Sequence, residues 1–523
     1  MQYRPLYSSL DVHLRQAQGI QLVAGSLTIK KNLGLLKTKT LVFYRQNLFF
    51  CNFLLAWLLL FSLLRTVQHF SFATNAWDLS IFDYAMSSTM KGDIMAEPFH
   101  GFGWGSHLAI HFTPVLFLLA PLYLVFKGPL FLLYIQVLAV GAAAIPLYLI
   151  AKHKFRNTKT ALAAALIYLT YRPLLNGLTY DFHPEMFFPL FIFGSYYLLT
   201  VRNKNFLFFL FIILALAIKE DFAVYTFFYC LWLARRTEWK KTAYQALMLS
   251  ALYILLTMTV FIPFFRDQVQ AGQTYEFINK WQDYGQTPLE ILKQAVAQPL
   301  RLLNDLNPIA NLGHLAEYFL PLLFIPLWSL AALLILPPLV VGWSSRIPTM
   351  ATFGLHYGAA LIPFLFLALL LALEHLQKPA AKNHRALRPS WRWLVLAIVI
   401  INLGNFKWNL FAPEKYQFIH EYPFIKRCLV LIPEKASVAA QSALIPHIPK
   451  RKAIFMLPAT GEAEYILLHL QLNPWPMQTY QLQELDTRLQ RSAKYSLLYS
   501  SGYLRLYKKI SMPTMSAIGR EKR

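Results

Sequence analysis

Two carboxylates follow directly on the first long apolar run of this chain, Asp78 and Asp83 in "AWDLSIFDYAM" (76–86). An aspartate held where a membrane span ends is partly desolvated. That raises its basicity and suits it to take a proton from a hydroxyl, so both are candidate catalytic groups. If the stretch is helical, the two stand roughly 140° apart and serve different jobs. The plainer alternative makes Asp78 a helix cap and leaves Asp83 in water.

Three further clusters carry usable chemistry. His107 and His111 are four apart, a spacing that on one helical face suits a metal or, when protonated, a phosphate. "DFHPE" (181–185) sets Asp181, His183 and Glu185 at alternate positions. Pro184 biases the residue before it toward extended backbone, in which the three side chains would project the same way. Asp181 and His183 are then candidate ligands of a divalent metal, or a pair that orients a hydroxyl. "KED" places Lys219, Glu220 and Asp221 between two apolar runs. Lys219 can hold a phosphate as a point charge, or close a salt bridge with its neighbours. His356 and Tyr357 open another apolar run in "FGLHYGAALIPF" (353–364) and are weaker substrate-binding candidates. An ordinary core aromatic fits there as well.

The elements that must position these groups are membrane helices. Of 523 residues, 57% are hydrophobic and 14% charged, and apolar runs near the length that crosses a bilayer recur. The expected class is an all-α polytopic membrane protein. The alternating segments of a lipid-facing barrel are absent. The formal net charge of +24 is explained by basic cytoplasmic loops and anionic headgroups. No base-stacking motif or zinc-finger spacing argues for nucleic acid. Cys51, Cys230 and Cys428 lie too far apart to read as a metal pattern or a disulfide framework.

Charge bias then orders the chain. Residues 1–46 carry seven Lys/Arg and one acid and are expected in the cytoplasm. A polytopic domain is expected over 47–411, with a large outer loop at 67–128 and another at 266–316. Within the first loop, 112–126 is short and holds Pro114 and Pro121, so it is expected to lie in the interface. Spans follow at 129–151, 160–179, 186–201, a hairpin with "KED" at its outer apex, and 243–265. The count between 317 and 373 does not close under the charge rule. A re-entrant stretch at Pro337-Pro338 is the suspect. After a last span at 393–411, residues 412–523 carry strand-like segments, "ASVAAQ", "AIFML" and "YSLLYSSGYLRLYKK", and are expected to form a small α/β domain. The clusters at 78–111, 181–185 and 219–221 all reach the outer face, where helices can pack so that they line one cavity. No P-loop, dinucleotide fingerprint or nucleophile elbow is present, so an activated substrate would have to arrive on a lipid.

Taken together, "WDLSIFDYAM", "HFTPVLFLLAPLY", "YDFHPEMFFPL", "ALAIKEDF", "HYGAALIPF" and "IPEKASVAAQSALIPHIPKR" resemble the membrane family labelled domain of unknown function 2079. The resemblance runs from about residue 75 to 510. That family in turn is similar to the C-type (GT-C) glycosyltransferases, which take sugars from polyprenyl phosphates. What this resemblance implies is a GT-C-like fold of about 9–11 transmembrane helices, with Asp78 in the acidic first-loop position. "HFTP" stands where a "KPP" element would, with His111 replacing its lysine, and "AIKED" keeps Lys219. The chain departs from the pattern in having Asp78-Leu79 where an Asp-Glu pair is usual.

The leading expectation is a cell-membrane glycosyltransferase with its N-terminus in the cytoplasm and its active face outside. It would move a sugar from a polyprenyl-phosphate carrier to a glycan, lipid or protein acceptor, with inversion. Asp78 acts as base, and Lys219 and His111 meet the leaving phosphate. A divalent metal is optional. The alternatives are a carrier that flips a lipid-linked glycan, and an envelope scaffold that binds through its tail.

Overall fold

A computed structural model describes residues 41–100, 103–269, 283–285, 288–345, 347–377 and 390–510. The expected cytoplasmic segment 1–46 therefore falls mostly outside the described residues, as do parts of the loops at 266–316 and 374–392. The chain divides into two units, Met1–Leu60 and Phe61–Arg523. In the first, the described residues are helical, and the Tyr44 hydroxyl donates to Asn52 Oδ1 at 2.9 Å. Every candidate site residue belongs to the second.

Among the described residues, five helical stretches are long and apolar enough to cross a membrane: Leu48–Phe70, Pro129–Phe155, Thr237–Gln268, Tyr357–Gln377 and Trp391–Val430. Leu116–Val125, Thr158–Thr170, Asn205–Leu216 and Leu330–Trp343 are shorter apolar pieces. Such a chain is a polytopic α-helical membrane protein, because helices satisfy their backbone polar groups internally. Leu116–Val125 has ten residues, about 15 Å of helix, too short to span.

Two expected crossings are broken. The 160–179 run is helical over Thr158–Thr170 and again over Arg172–Leu178. Pro173 sits in the first turn of the second piece, where its missing N–H is tolerated. The 317–343 run is not one helix. Short 3₁₀ turns at Leu320–Leu322, Ile325–Trp328 and Leu330–Ile335 precede the helix Leu336–Trp343. The interruption lies at Leu323 and Phe324, both at positive φ. Pro337-Pro338 instead open the helix that follows. The "KED" hairpin forms as expected, with Asn205–Leu216 and Glu220–Leu233 on either side.

The C-terminal region holds a five-stranded sheet of β3 (Val438–Ala440), β4 (Ile454–Met456), β5 (Tyr465–His469), β6 (Tyr495–Ser501) and β7 (Leu504–Lys509), in the order β4-β3-β5-β7-β6. The strands β1 (Ala96–Glu97) and β2 (Gly105–Ser106) form a separate hairpin in the first loop. In the larger sheet β3 pairs in parallel with β4 and β5, and β7 pairs antiparallel with β5 and β6. Alternate residues supply two apolar faces. Val438, Ala440, Tyr465, Leu467, Leu504 and Leu506 pack with Phe72, Ala76, Ile81, Tyr84 and Phe99 of the first loop. Ala439, Ile466, Leu468 and Tyr507 pack with Leu482, Leu485 and Leu489 of the helix Thr479–Gln490. The C-terminal region thus packs directly on the first loop. The Ala76 N–H also donates to the Ser442 carbonyl at 2.9 Å.

Candidate functional site

The first loop enters the site through a kink. After the helix Leu48–Phe70 the backbone is irregular until Ile81–Thr89, and between them Asp78 has φ +80° and ψ −73°. A non-glycine residue held there is strained, and such strain persists only where the surroundings over-determine it. Here they do. Two residues earlier, Ala76 is tied to the C-terminal sheet region through Ser442. The Asp78 carboxylate faces His183 Nε2 at 3.3 Å and accepts a hydrogen bond from Tyr180. Its side chain keeps 19% of its exposure, so Asp78 is a held but reachable carboxylate.

His183 is fixed on every side. Its N–H donates to Gln136 Oε1 at 2.6 Å, and its Nδ1 lies 3.3 Å from the Asp181 carbonyl. His356 stacks on its ring at 3.4 Å between centroids, and Tyr180 stacks at 5.4 Å. Burial pushes the Asp78 carboxyl up, but His183, with His356 and Tyr180, outweighs it and holds the carboxyl below its ordinary range. For His183, burial pushes the imidazole down, and Asp78, with Glu185 and the Asp181 carbonyl, outweighs that to hold it above its ordinary value. The pair is therefore biased to its charged form.

The "DFHPE" side chains do not share a direction. His183 is extended at φ −144° and ψ 124°, as a residue before proline should be, but Glu185 lies inside the 3₁₀ turn Pro184–Phe187. The three acquire separate partners. Asp181 Oδ2 accepts from the Asn75 N–H at 3.1 Å and from Asn75 Nδ2 at 3.4 Å. Burial raises Asp181 to about 7 against the pull of Arg65. Glu185 pairs with Lys219 at 3.2 Å.

The "KED" residues also diverge. Lys219 reaches neither Glu220 nor Asp221 for its ion pair; it reaches Glu185. Glu220 accepts from His111 Nδ1 at 2.8 Å and from the Phe112 N–H at 3.0 Å, joining the hairpin to the first loop. Asp221 accepts from the Phe222 N–H at 3.0 Å and from the Tyr225 hydroxyl at 3.4 Å. Lys219, Glu185 and Tyr357 line a cavity of about 20 Å³, room for a water but not for a sugar phosphate. Burial lowers the Lys219 ammonium, but Glu185, Asp221 and Glu220 together more than offset it and the net shift is upward. The charged form of Lys219 is thereby favoured.

Asp83 stands apart from this arrangement. It accepts from the Tyr123 hydroxyl at 2.5 Å and pairs with Lys450 at 2.7 Å. It thereby joins the first loop, the short apolar helix and the C-terminal region. Burial raises its carboxyl more than Lys450 lowers it. Beside it lies a groove of about 870 Å³ lined by Tyr84, Lys91, Trp104, Lys435, Arg451 and Lys452, among others.

His107 and His111 lie in or beside a 3₁₀ turn, His107–Ala109, with ring centroids 6.0 Å apart. Burial pushes the His107 imidazole well below its ordinary value. Among the described residues, one group of three or more metal-capable side chains has ligand atoms within 4.8 Å of one another: Glu97, His100 and His107. Asp181 and His183 are not in it.

Three site-forming residues escaped the sequence reading. Arg65 donates to the Thr179 carbonyl at 2.8 Å and also bonds the Tyr180 carbonyl and Gln68. Gln136 amide donates to the carbonyls of Leu178 and Asp181, each at 3.3 Å. Asn75 holds Asp181. The available signal was a charged or amide residue inside or at the end of an apolar run, which is costly in a membrane and marks a function or a partner.

This architecture defines a polytopic membrane protein whose polar cluster lies between its first loop and the helix ends. The family described as "predicted membrane protein (DUF2079)" matches residues 68–504, and the chain belongs to it. No curated protein matches the sequence. Among solved structures, ArnT from Cupriavidus metallidurans bound to undecaprenyl phosphate is similar at 10% identity and a TM-score of 0.49. The match covers 87% of this chain and 98% of that one.

Proposed function

We propose that this protein is a membrane glycosyltransferase that takes a sugar from a polyprenyl phosphate and transfers it to an acceptor hydroxyl. The observation that carries the reading is Asp78, strained in backbone, partly exposed, and held ionised by His183. In the proposed step the acceptor oxygen bonds to the anomeric carbon as the bond from that carbon to the phosphate oxygen breaks. The acceptor proton passes to Asp78, and polyprenyl phosphate leaves with the bond electrons. One displacement inverts the anomeric centre. His183 positions the base, and its charge moderates the proton affinity of Asp78.

Lys219 is the cation for the leaving phosphate. It is now paired with Glu185 in a space too small for a sugar phosphate, so binding requires the hairpin apex to open and Lys219 to exchange partners. His111, bridged to Glu220, would move with it.

The test is release of polyprenyl phosphate from a mixture of lipid-linked sugars by the purified protein, beside its Asp78→Asn variant, with lipid extract as acceptor. Release by the wild type alone supports the assignment. Equal release by both removes Asp78 as base. No release by either overturns the transferase reading in favour of a carrier, for which flipping in liposomes is then the assay.

A further inference from the structure

The first loop contains a second arrangement that the proposed transfer does not use. Its β1 and β2 pair Ala96 with Ser106 and Glu97 with Gly105. Glu97 and His100 therefore leave one arm of a short hairpin, and His107 follows the other arm. The His107 backbone is fixed independently, its N–H donating to the Met95 carbonyl at 2.8 Å. Glu97 is fully buried and His107 is 2% exposed.

Both ring nitrogens of His107 are buried with no hydrogen-bond partner. A neutral imidazole has one donor and one acceptor, and leaving both unmet in a buried site is costly. The residues around that ring are Phe82 at 5.0 Å, His100 at 5.7 Å and His111 at 6.0 Å between centroids. Two imidazoles and one buried carboxylate, with ligand atoms within 4.8 Å of one another, are donors of the type and number that bind zinc with one coordination position left open. A tetrahedral ion would draw these atoms closer, and the Glu97–His100 contact would rearrange to admit it.

We propose that Glu97, His100 and His107 form a binding site for a divalent transition metal of the zinc class. The ion would satisfy the orphaned ring of His107 and tie the connection between β1 and β2 to the turn that follows β2. It would also fix Trp77, whose ring lies 5.5 Å from that of His100 and whose chain neighbour is Asp78. The site is distinct from the Asp78–His183 pair and does not depend on the transferase reading.

The test uses full-length protein in detergent, stripped with chelator and then loaded with Zn²⁺ or Co²⁺. The expected result is one ion per chain retained through desalting, visible Co²⁺ absorption of low coordination number, and quenching of tryptophan fluorescence that Trp77→Phe reduces. Affinity should fall at least about tenfold in His100→Gln and in Glu97→Gln. His100 is partly exposed, so His100→Gln should fold even where His107→Gln does not. Thermal transitions and elution volumes check this. Retention of no more metal by the stripped wild type than by a folded His100→Gln variant overturns the site, as does unchanged affinity in both variants.

Discussion

Breaking the Asp83–Lys450 pair should reveal an asymmetry that its burial dictates. Asp83 is 4% exposed, while the Lys450 side chain keeps 25% of its exposure. Removing one partner of a wholly buried pair costs about 3–5 kcal/mol, because the remaining charge is left uncompensated. Lys450→Met leaves the buried carboxylate with only the Tyr123 hydroxyl, so that full range applies. Asp83→Asn leaves an ammonium that can still meet water, and the penalty should drop to roughly 2 kcal/mol. The double variant leaves no charge and should recover most of the larger loss. The pH dependence follows from the carboxyl, which burial already raises above its ordinary range. A raised carboxyl costs stability as pH climbs from its unfolded value to its folded one. The Lys450→Met penalty should therefore be small near pH 4 and grow toward neutrality. The assay is thermal unfolding in detergent across pH, with limited proteolysis reporting release of the C-terminal region. An Asp83→Asn loss equal to that of Lys450→Met, or additive losses in the double variant, would refute the reasoning.

Three other outcomes follow from the same geometry. Asp78→Asn should lower polyprenyl-phosphate release by about 10²–10⁴, the usual contribution of a general base, while losing no more thermal stability than His183→Gln, since each variant breaks the same pair. A larger loss of stability would point to a structural carboxylate instead. The stability difference between wild type and His183→Gln should be largest between about pH 4 and 6.5. Asp78, held low, contributes above the ordinary carboxylate range and loses its contribution as pH falls through its folded value. His183, held high, contributes below its ordinary value and loses its contribution as pH rises through the folded one. A difference flat with pH would exclude the ion pair. Gly358→Ala should cost about 1–3 kcal/mol. Its Cβ would lie 2.1 Å from the Tyr318 hydroxyl, which is anchored on the Phe353 carbonyl at 2.5 Å. An unchanged melting temperature would show that Tyr318 moves freely.

The membrane class, the "KED" hairpin, the short helix at 116–125 and strands near 438–440, 454–456 and 495–509 were all legible in the sequence. Apolar run length, Lys/Arg bias and alternation are local properties, and each reports on its own segment. β5, "YILLH", escaped because all five of its residues are buried. A strand covered on both faces shows no alternation and looks like any short apolar run. The partners of the charges were illegible for a different reason. Lys219 has two acids beside it in sequence yet pairs with Glu185, 34 residues away, and Asp83 selects Lys450. Asp78 was picked out by its position after a span, but its restraint by His183, Tyr180 and Ser442-bound Ala76 depends on which helix ends meet. Sequence alone determined which residues are costly to bury in a membrane. Only the packing of helices and sheet decided which of those residues face one another, because a buried charge is satisfied by whatever the fold brings within about 3 Å, however distant it is along the chain.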